Sequence, residues 1–569
     1  MKKRHPASEL ADTLEEIGTI RKAWAGRCHV GLVYPQTYAL AMSNLGFQTV
    51  YRLFNQFEDV VCERFCSDLP APERVTSIES ARPLAAFDIV AFSVAFENDY
   101  PQLLRMLEQA RIPLLAARRE GRHPLIVIGG VAAMLNPEPL APFADLILIG
   151  EAEAILPALM DCWRGAESRE TFLSRAVHAI PGAYVPSFYT VSSDERGRIT
   201  AFRPNPGVPP RVTLARLADV RQEETTSAVL TPKTTFADTC LVEVSRGCPH
   251  GCRFCSAGFV YRPPRFRDPD HLEASIRRAA FRTRRVGLVG AAVSDFPNLS
   301  QLCRRVADTG VRLSFSSLRA DALDADLLAV LAAHRTKTVT IAPEAGSQRM
   351  RNVINKGLNE EDILKAAERS VRAGIPNLRL YFMVGLPTET VADIHAIVAL
   401  CRRVKSVFLE SSRRQKRIGT LTVSVNPFVP KPATPFQWVA MDPVPRLQDK
   451  ARILRRGLKP LANVRFQMEN IRGSYVQAVL SRGDRRVADL LLAHHRLGGN
   501  WSQTLKRSAI DTAVYVTRLR AREEILPWDF IATGVERGYL WCDYQQALAA
   551  QPALPCPPSG CTRCGACAA

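Results

Sequence analysis

The sequence predicts an α/β protein with a doubly wound, Rossmann-like domain, then a partial (β/α)6 barrel, then a mostly helical C-terminal region. Five short apolar runs alternate with helical stretches before residue 165, a rhythm typical of a parallel sheet covered on both faces. Six further strand–helix repeats follow before residue 440. The chain of 569 residues is long enough for several domains.

The first series follows a helical lead-in over residues 1–27 and occupies residues 28–165. Its predicted strands are residues 30–34, 60–64, 89–94, 125–128 and 146–149. Several of them end in turn or polar signals, namely Tyr34-Pro35, Ser93, Gly129-Gly130 and Gly150-Glu151. Doubly wound folds bind ligands outside the carboxyl ends of their strands, so these positions are candidate binding residues.

The second series occupies residues 240–440, after a weakly patterned connector over residues 166–239. Its predicted strands are residues 241–245, 287–289, 312–315, 338–341, 377–382 and 420–425. The repeats fit a partial barrel, and an open sheet is the alternative. Residues 441–550 are predicted to be mostly helical, and residues 551–569 form a Cys-rich tail.

The bulk composition is that of a globular protein, with 47% hydrophobic and 23% charged residues. No uninterrupted apolar run reaches 18 residues and the N-terminus lacks a secretory pattern, so we expect a cytoplasmic protein without membrane contact. The formal charge of +19 permits an acidic partner such as nucleic acid. The charge does not form one stripe interleaved with aromatic residues, so a solvated surface rich in arginine is the simpler interpretation.

A three-cysteine loop follows the first strand of the second series. Cys248, Cys252 and Cys255 have the spacing Cys-x3-Cys-x2-Cys, with Phe254 before the last of them. Three thiolates can each bind one iron of a cubane cluster and leave a fourth iron open for a small molecule. The alternatives are zinc, with His250 as a fourth ligand, or three unrelated buried cysteines.

This motif resembles the radical S-adenosylmethionine (SAM) superfamily, and residues 257–263 (AGFVYRP) extend the similarity. The resemblance covers most of the chain and is nearest to the subgroup in which a cobalamin-binding-like domain precedes the radical SAM barrel. It implies a 4Fe-4S cluster whose open iron binds SAM, and reductive cleavage of SAM to a 5′-deoxyadenosyl radical. It also implies a reductant such as flavodoxin or ferredoxin, whereas the substrate is not indicated.

Candidate SAM-binding residues follow the later strands of the barrel. Barrel enzymes place their sites at the carboxyl ends of strands, which here carry Ser294, Ser317, Arg319, Glu344 and Gly346. By resemblance, Glu344 and Gly346 match an element after the fourth strand. Turn or cap roles are the alternative for each residue. The Gly-Gly-Glu run that superfamily members often carry after the second strand is replaced here by residues 290–292 (GAA).

The N-terminal domain lacks the Asp-x-His-x-x-Gly run of domains that place a histidine on cobalt. Ser93, Gly129 and Gly130 occupy positions expected for a cobalamin nucleotide tail. Cobalamin, if bound, is therefore expected without a histidine ligand. The alternative is a domain retained for structure or substrate contact.

The tail places Cys556, Cys561, Cys564 and Cys567 within twelve residues. Four thiols so close suit a second 4Fe-4S cluster. Zinc and a metal-free tail are the alternatives.

Three functions are compatible with these features. The leading one is a radical SAM enzyme, with cobalamin-dependent methyl transfer to an unactivated carbon if cobalamin binds. The second is methylthiolation of RNA or protein, with the tail cysteines holding a sulfur-donor cluster. The third is a non-enzymatic iron–sulfur protein that binds nucleic acid or acts as a sensor.

Overall fold

The computed structural model describes residues 14–68, 75–316, 318–414, 418–557 and 560–567. Its N-terminal sheet has six strands in the order β2-β1-β3-β4-β5-β6, all parallel except β6. The strands are β1 (Cys28–Tyr34), β2 (Val60–Cys66), β3 (Ile89–Ser93), β4 (Leu125–Gly129), β5 (Leu146–Leu148) and β6 (Ala183–Tyr184). The five predicted strands are confirmed, and the order 2-1-3-4-5 is that of a doubly wound sheet.

Both faces of this sheet are buried. Successive side chains of a strand point to opposite faces, and those of β1 enter two different cores. Leu32 packs in one hydrophobic core with Phe47 and Leu159, whereas Val33 packs in the other with Leu103. The helices of this region are Tyr38–Met42, Leu45–Gln56, Tyr100–Gln109, Val131–Leu135, Ala152–Arg164 and Arg169–Ala179.

The second βα series forms two parallel sheets. β10 (Thr239–Glu243), β13 (Arg285–Val289) and β14 (Arg312–Phe315) make the first. β15 (Thr338–Glu344), β16 (Asn377–Val384), β17 (Leu421–Pro427) and β18 (Val464–Met468) make the second. The six predicted strands are present, and the described ladders do not join β14 to β15, so the parallel βα series divides into two sheets.

The strand β18 was not expected, since residues 441–550 were predicted to be mostly helical. Its side chains alternate between half-buried and exposed, so it carries no apolar run of the kind that marks a buried parallel strand. Helices do dominate the remainder: Val444–Leu458, Ile471–Arg482, Val487–Arg496, Trp501–Arg507, Ala513–Val516 and Arg537–Leu548.

Helices also follow the strands of the second series. They are Ala257–Val260, Pro269–Ala280, Leu299–Arg305, Ala325–Ala333, Gln348–Val353, Glu360–Arg372 and Val391–Arg414. None of the helices within the described ranges combines the length and apolar composition that a bilayer crossing requires.

Short strand pairs connect the larger units. β7 (Tyr189–Ser193) and β8 (Ile199–Pro204) form a hairpin, β9 (Val212–Thr213) pairs with β19 (Ile531–Ala532), and β11 (Ser245–Arg246) pairs with β12 (Arg265–Phe266). The N-terminal domain is fixed to the helical region by Asn136, whose Nδ2 donates to the carbonyls of Ser481 (3.0 Å) and Gly483 (2.7 Å).

Candidate functional site: the cysteine loop and the adjoining cavity

The three-cysteine loop leaves the carboxyl end of the first barrel strand and is closed at its base by the β11–β12 pair. Gly247 has a φ of +79°, which lets the chain turn sharply into the loop. Cys252 is buried, and Cys248 and Cys255 are half-buried. Burial raises the pKa of Cys248 to about 12, so a bound metal is needed to hold that thiol as a thiolate at neutral pH.

Backbone N–H groups are directed at these sulfurs. The N–H of His250 donates to Cys248, and the N–H groups of Ala257 and Gly258 donate to Cys255. Hydrogen bonds to ligand sulfurs stabilise a cluster and tune its potential. The loop therefore has the donor set and the sulfur environment that a cubane cluster requires.

The described ranges hold no group of three or more His, Cys, Asp and Glu side chains gathered around one metal ion. A cubane gives each thiolate its own iron, so its ligands are spread more widely than those of one ion. Moreover, His250 Nε2 lies 2.7 Å from Asp295 Oδ1. This contact engages the side chain that the zinc alternative needs as its fourth ligand, so the loop fits a cluster better than zinc.

The pair formed by Glu344 and Lys356 lies beside the loop. Glu344 ends β15 at a bulge, with a φ of +64°, and a non-glycine residue in this region carries backbone strain of the kind found at functional sites. Lys356 Nζ lies 3.3 Å from Glu344 Oε1, and both groups interact electrostatically with Cys252. Burial raises the pKa of Glu344, an effect that Lys356 only partly offsets.

The other predicted SAM-binding residues have varied surroundings. The N–H of Arg319 donates to Ser294 Oγ (3.2 Å), and its largely buried guanidinium pairs with Asp321. The same guanidinium interacts electrostatically with Cys252, so Arg319 faces the cluster loop. Ser317 lies outside the described residues. An added Cβ at Gly346 would lie 2.1 Å from Ile397 N, so this glycine is needed for packing against a helix.

Sequence reasoning missed Lys356 as a neighbour of the cluster loop. Lys356 follows a short helix at no strand end, and its role depends on a contact formed only in the fold. Asp295 Oδ2 is buried and has no hydrogen-bond partner among the described residues, which leaves it suited to a ligand ammonium group. Phe254 is half-buried and packs against the main hydrophobic core.

A cavity of about 430 Å³ separates the N-terminal sheet from the loop. On one side it is lined by Ser93, Gly129 and Gly130, and on the other by Gly247 and Tyr261. The structure thus brings the three predicted cofactor-binding residues of the N-terminal domain to a cavity that also borders the cysteine loop.

The two glycines of the cavity differ in what surrounds them. An added Cβ at Gly130 would lie 2.4 Å from Val94 O, and its φ is +103°. Among the described residues, a Cβ added at Gly129 would meet only Leu148 O, at 3.9 Å. Gly130 is therefore required by the backbone, whereas Gly129 leaves space that a ligand can use.

An ion network holds the loop to the N-terminal domain. Arg246 Nη1 lies 3.1 Å from Glu151 Oε2, and the same guanidinium pairs with Glu153 and Glu243. Arg265 also pairs with Glu151. These side chains are largely buried, so the residues before Cys248 are fixed relative to β5.

A Cys-x3-Cys-x2-Cys loop after the first strand of a parallel βα domain is typical of radical SAM proteins, and here a doubly wound domain packs beside it. The profile of the radical SAM superfamily matches residues 242–401, and that of radical SAM proteins, N-terminal, matches residues 46–186. The chain belongs to this superfamily. It is 30% identical over 469 residues to an uncharacterized protein of Methanocaldococcus jannaschii, an alignment that covers 81% of this chain and 90% of that protein.

Relatives with described activities align over shorter stretches. A tRNA-2-methylthio-N(6)-dimethylallyladenosine synthase of Maricaulis maris is 30% identical over 203 residues, which is 32% of this chain and 43% of that enzyme. The bacteriochlorophyllide d C-8(2)-methyltransferase of Chlorobaculum tepidum is 24% identical, over 33% of this chain and 35% of that enzyme. The radical SAM methyltransferase TsrM of Kitasatospora setae has a TM-score of 0.43 at 13% identity, over 69% of this chain and 72% of that chain.

Proposed function

We propose that this radical SAM enzyme cleaves SAM reductively at a 4Fe-4S cluster on Cys248, Cys252 and Cys255, and that its substrate reacts in the adjoining cavity. When bound, the cluster supplies the electron that breaks the sulfonium of SAM into methionine and a 5′-deoxyadenosyl radical. The observation that carries the proposal is the shared wall between the cysteine loop and the cavity.

The chain's own residues bind and shield the reactants. Lys356 offers a cation to the methionine carboxylate, and Asp295 Oδ2 offers an unpartnered acceptor to its ammonium group. Asp295 would thus take the place of the Gly-Gly-Glu run, which this sequence lacks, in binding the amine of SAM. The apolar wall, which includes Leu32, Val127 and Leu156, excludes water from a reactive radical.

We propose further that the cavity binds cobalamin, which supplies a methyl group for transfer to a carbon. Ser93 and Gly129 would contact it from the ends of β3 and β4. No histidine is among the described residues that line the cavity, so the cobalt would have no histidine ligand from this wall. The similarity to a methyltransferase supports this proposal.

The experiment is anaerobic reconstitution followed by reduction with dithionite in the presence of SAM. Wild type is expected to release 5′-deoxyadenosine, and the Cys248→Ala/Cys252→Ala/Cys255→Ala variant to release none. Cys401→Ala is the control, because this cysteine is buried on the helix Val391–Arg414, outside the loop. The ultraviolet–visible spectrum of the protein with added cobalamin measures cobalamin binding. Full activity in the triple variant would contradict the proposal.

Methylthiolation of RNA or protein is the second candidate, and the observation that favours it is the four-cysteine tail. Mass spectrometry of the product distinguishes an added methyl group from an added methylthio group. Release of 5′-deoxyadenosine would exclude the non-enzymatic alternative.

A further inference from the structure

The four cysteines of the tail lie together against the cysteine loop. Cys556 and Cys564 are buried, Cys561 and Cys567 are half-buried, and the four interact electrostatically. The neighbouring turn is compact, because an added Cβ at Gly560 would lie 3.9 Å from Cys567 Sγ. The tail thus brings four partly buried thiols within electrostatic range of one another, at a spacing wider than a single metal ion requires.

The tail is attached to the loop by its backbone. The N–H of Cys556 donates to the carbonyl of Pro249 (2.8 Å), the residue after Cys248. The route from Cys248 to Cys556 therefore crosses one peptide unit and one hydrogen bond.

Asn355 makes a second link between the two segments. Its Nδ2 donates to the carbonyl of Gly251 (3.0 Å), and its Oδ1 accepts from the N–H of Ala553 (2.9 Å). Arg253, fully buried, adds a third link, because it donates to the carbonyl of Gln551 (2.8 Å). Three contacts within the loop residues 249–253 fix the position of the tail.

A buried cation lies between the two sulfur groups. The guanidinium of Arg262 bonds to Cys564 and also donates to the carbonyl of Gly258 (2.6 Å), whose own N–H donates to Cys255. Four thiolates carry a net negative charge around a cluster, and a buried arginine compensates such charge.

We propose that Cys556, Cys561, Cys564 and Cys567 hold a second 4Fe-4S cluster that passes electrons to the cluster on the loop. One electron leaves the reduced tail cluster and reduces the oxidised loop cluster, and no proton or other group moves. A one-electron donor such as reduced flavodoxin or ferredoxin then reduces the tail cluster again. The electron-transfer step rests on the proposed function, whereas the metal site does not.

Iron counts of the anaerobically reconstituted full chain test the metal site. Wild type is expected to hold about eight iron atoms, and Cys561→Ala/Cys564→Ala about four, since each cubane holds four. The Cys248→Ala/Cys252→Ala/Cys255→Ala variant is also expected to hold about four. Cys542→Ala, an exposed cysteine on the adjoining helix, should match wild type. Zinc at the tail, or about four irons in wild type, would overturn the proposal.

The choice of electron donor tests the relay. With reduced flavodoxin, Cys561→Ala/Cys564→Ala should form 5′-deoxyadenosine at least about tenfold more slowly than wild type, and with excess dithionite at about the wild-type rate. Equal losses with both donors would mean a structural role and overturn the relay. Wild type with two clusters but no 5′-deoxyadenosine would support the metal site and contradict the proposed function.

Electron paramagnetic resonance provides a readout that is independent of activity. Two reduced clusters linked through Pro249 should broaden each other's signals, and the broadening should vanish in either cysteine variant. Unbroadened signals from a chain holding both clusters would overturn the relay.

Discussion

Lys356 Nζ lies 3.3 Å from Glu344 Oε1, and both side chains are largely buried beside Cys252. Lys356 would meet the carboxylate end of an amino acid bound beside the cluster loop, and Asp295 Oδ2 its ammonium end. Since Lys356 also has the carboxylate of Glu344 as a partner, it is held in position before any ligand arrives.

Replacing Lys356 with methionine should weaken SAM binding by at least about tenfold, because a charge-assisted hydrogen bond is worth about 1.5–3 kcal/mol. Lys356→Arg should recover part of the loss. The measurement is the SAM concentration needed for half-maximal 5′-deoxyadenosine formation. Lys365→Met is the control, because Lys365 pairs with Glu361 on an exposed surface. Equal affinity in Lys356→Met and wild type would refute the assignment.

Replacing Asp295 with asparagine should also weaken SAM binding, since Oδ2 is the buried acceptor without a partner in the described chain and asparagine removes its charge. His250 keeps a hydrogen-bond partner in this variant. We therefore expect unchanged iron content and an increased KM for SAM. A loss of iron would show instead that the His250–Asp295 contact holds the loop in place.

Gly129 and Gly130 should respond differently to substitution. Gly129→Leu should fold, because within the described chain its Cβ meets only Leu148 O, at 3.9 Å. It should reduce cobalamin binding by filling the cavity. Gly130→Ala should destabilise the domain by at least about 1 kcal/mol, because of the positive φ and the contact with Val94. Spectral titration with cobalamin and thermal unfolding measure the two effects. Unchanged titration in Gly129→Leu would place cobalamin elsewhere.

The fold was predictable where burial leaves a periodic signal. β1 and β4 are continuous apolar runs and were found from the sequence. The strand β18 was not, because only alternate side chains are half-buried and the run resembles a surface segment. The sequence also did not show that the sheet is interrupted between β14 and β15, since strand pairing depends on how the backbone folds.

The candidate site, too, was predictable only in part from the sequence. Cys248, Cys252 and Cys255 are close in sequence, so their spacing revealed them. Lys356 lies about a hundred residues further along the chain, and the fold alone brings it to the loop. The position of the tail against Pro249 likewise depends on a tertiary hydrogen bond that no local pattern encodes.

The Arg246–Glu153 ion pair should make stability depend on pH. Burial alone would raise the pKa of Glu153, but the hydrogen bonds and charge of Arg246 outweigh it and hold that pKa below its ordinary value of 4.5. A carboxyl group with a lowered pKa stabilises the folded state above its unfolded pKa, and this stabilisation is lost as the pH falls through the folded pKa. The contribution is therefore complete at pH 7 and declines below about pH 4.5.

Urea unfolding of the metal-free chain tests this dependence, because a cluster would itself decompose in acid. At pH 7, Arg246→Met should lower the free energy of unfolding by about 3 kcal/mol, since it leaves Glu151 and Glu153 buried without their shared cation. Glu153→Gln should cost less, because it removes one of three carboxylates that surround Arg246. The difference between wild type and Glu153→Gln should narrow below about pH 4.5, where protonation of Glu153 makes the two side chains equally uncharged. A difference that stays constant from pH 7 to pH 4 would mean that Glu153 stabilises the chain through packing and not through its charge.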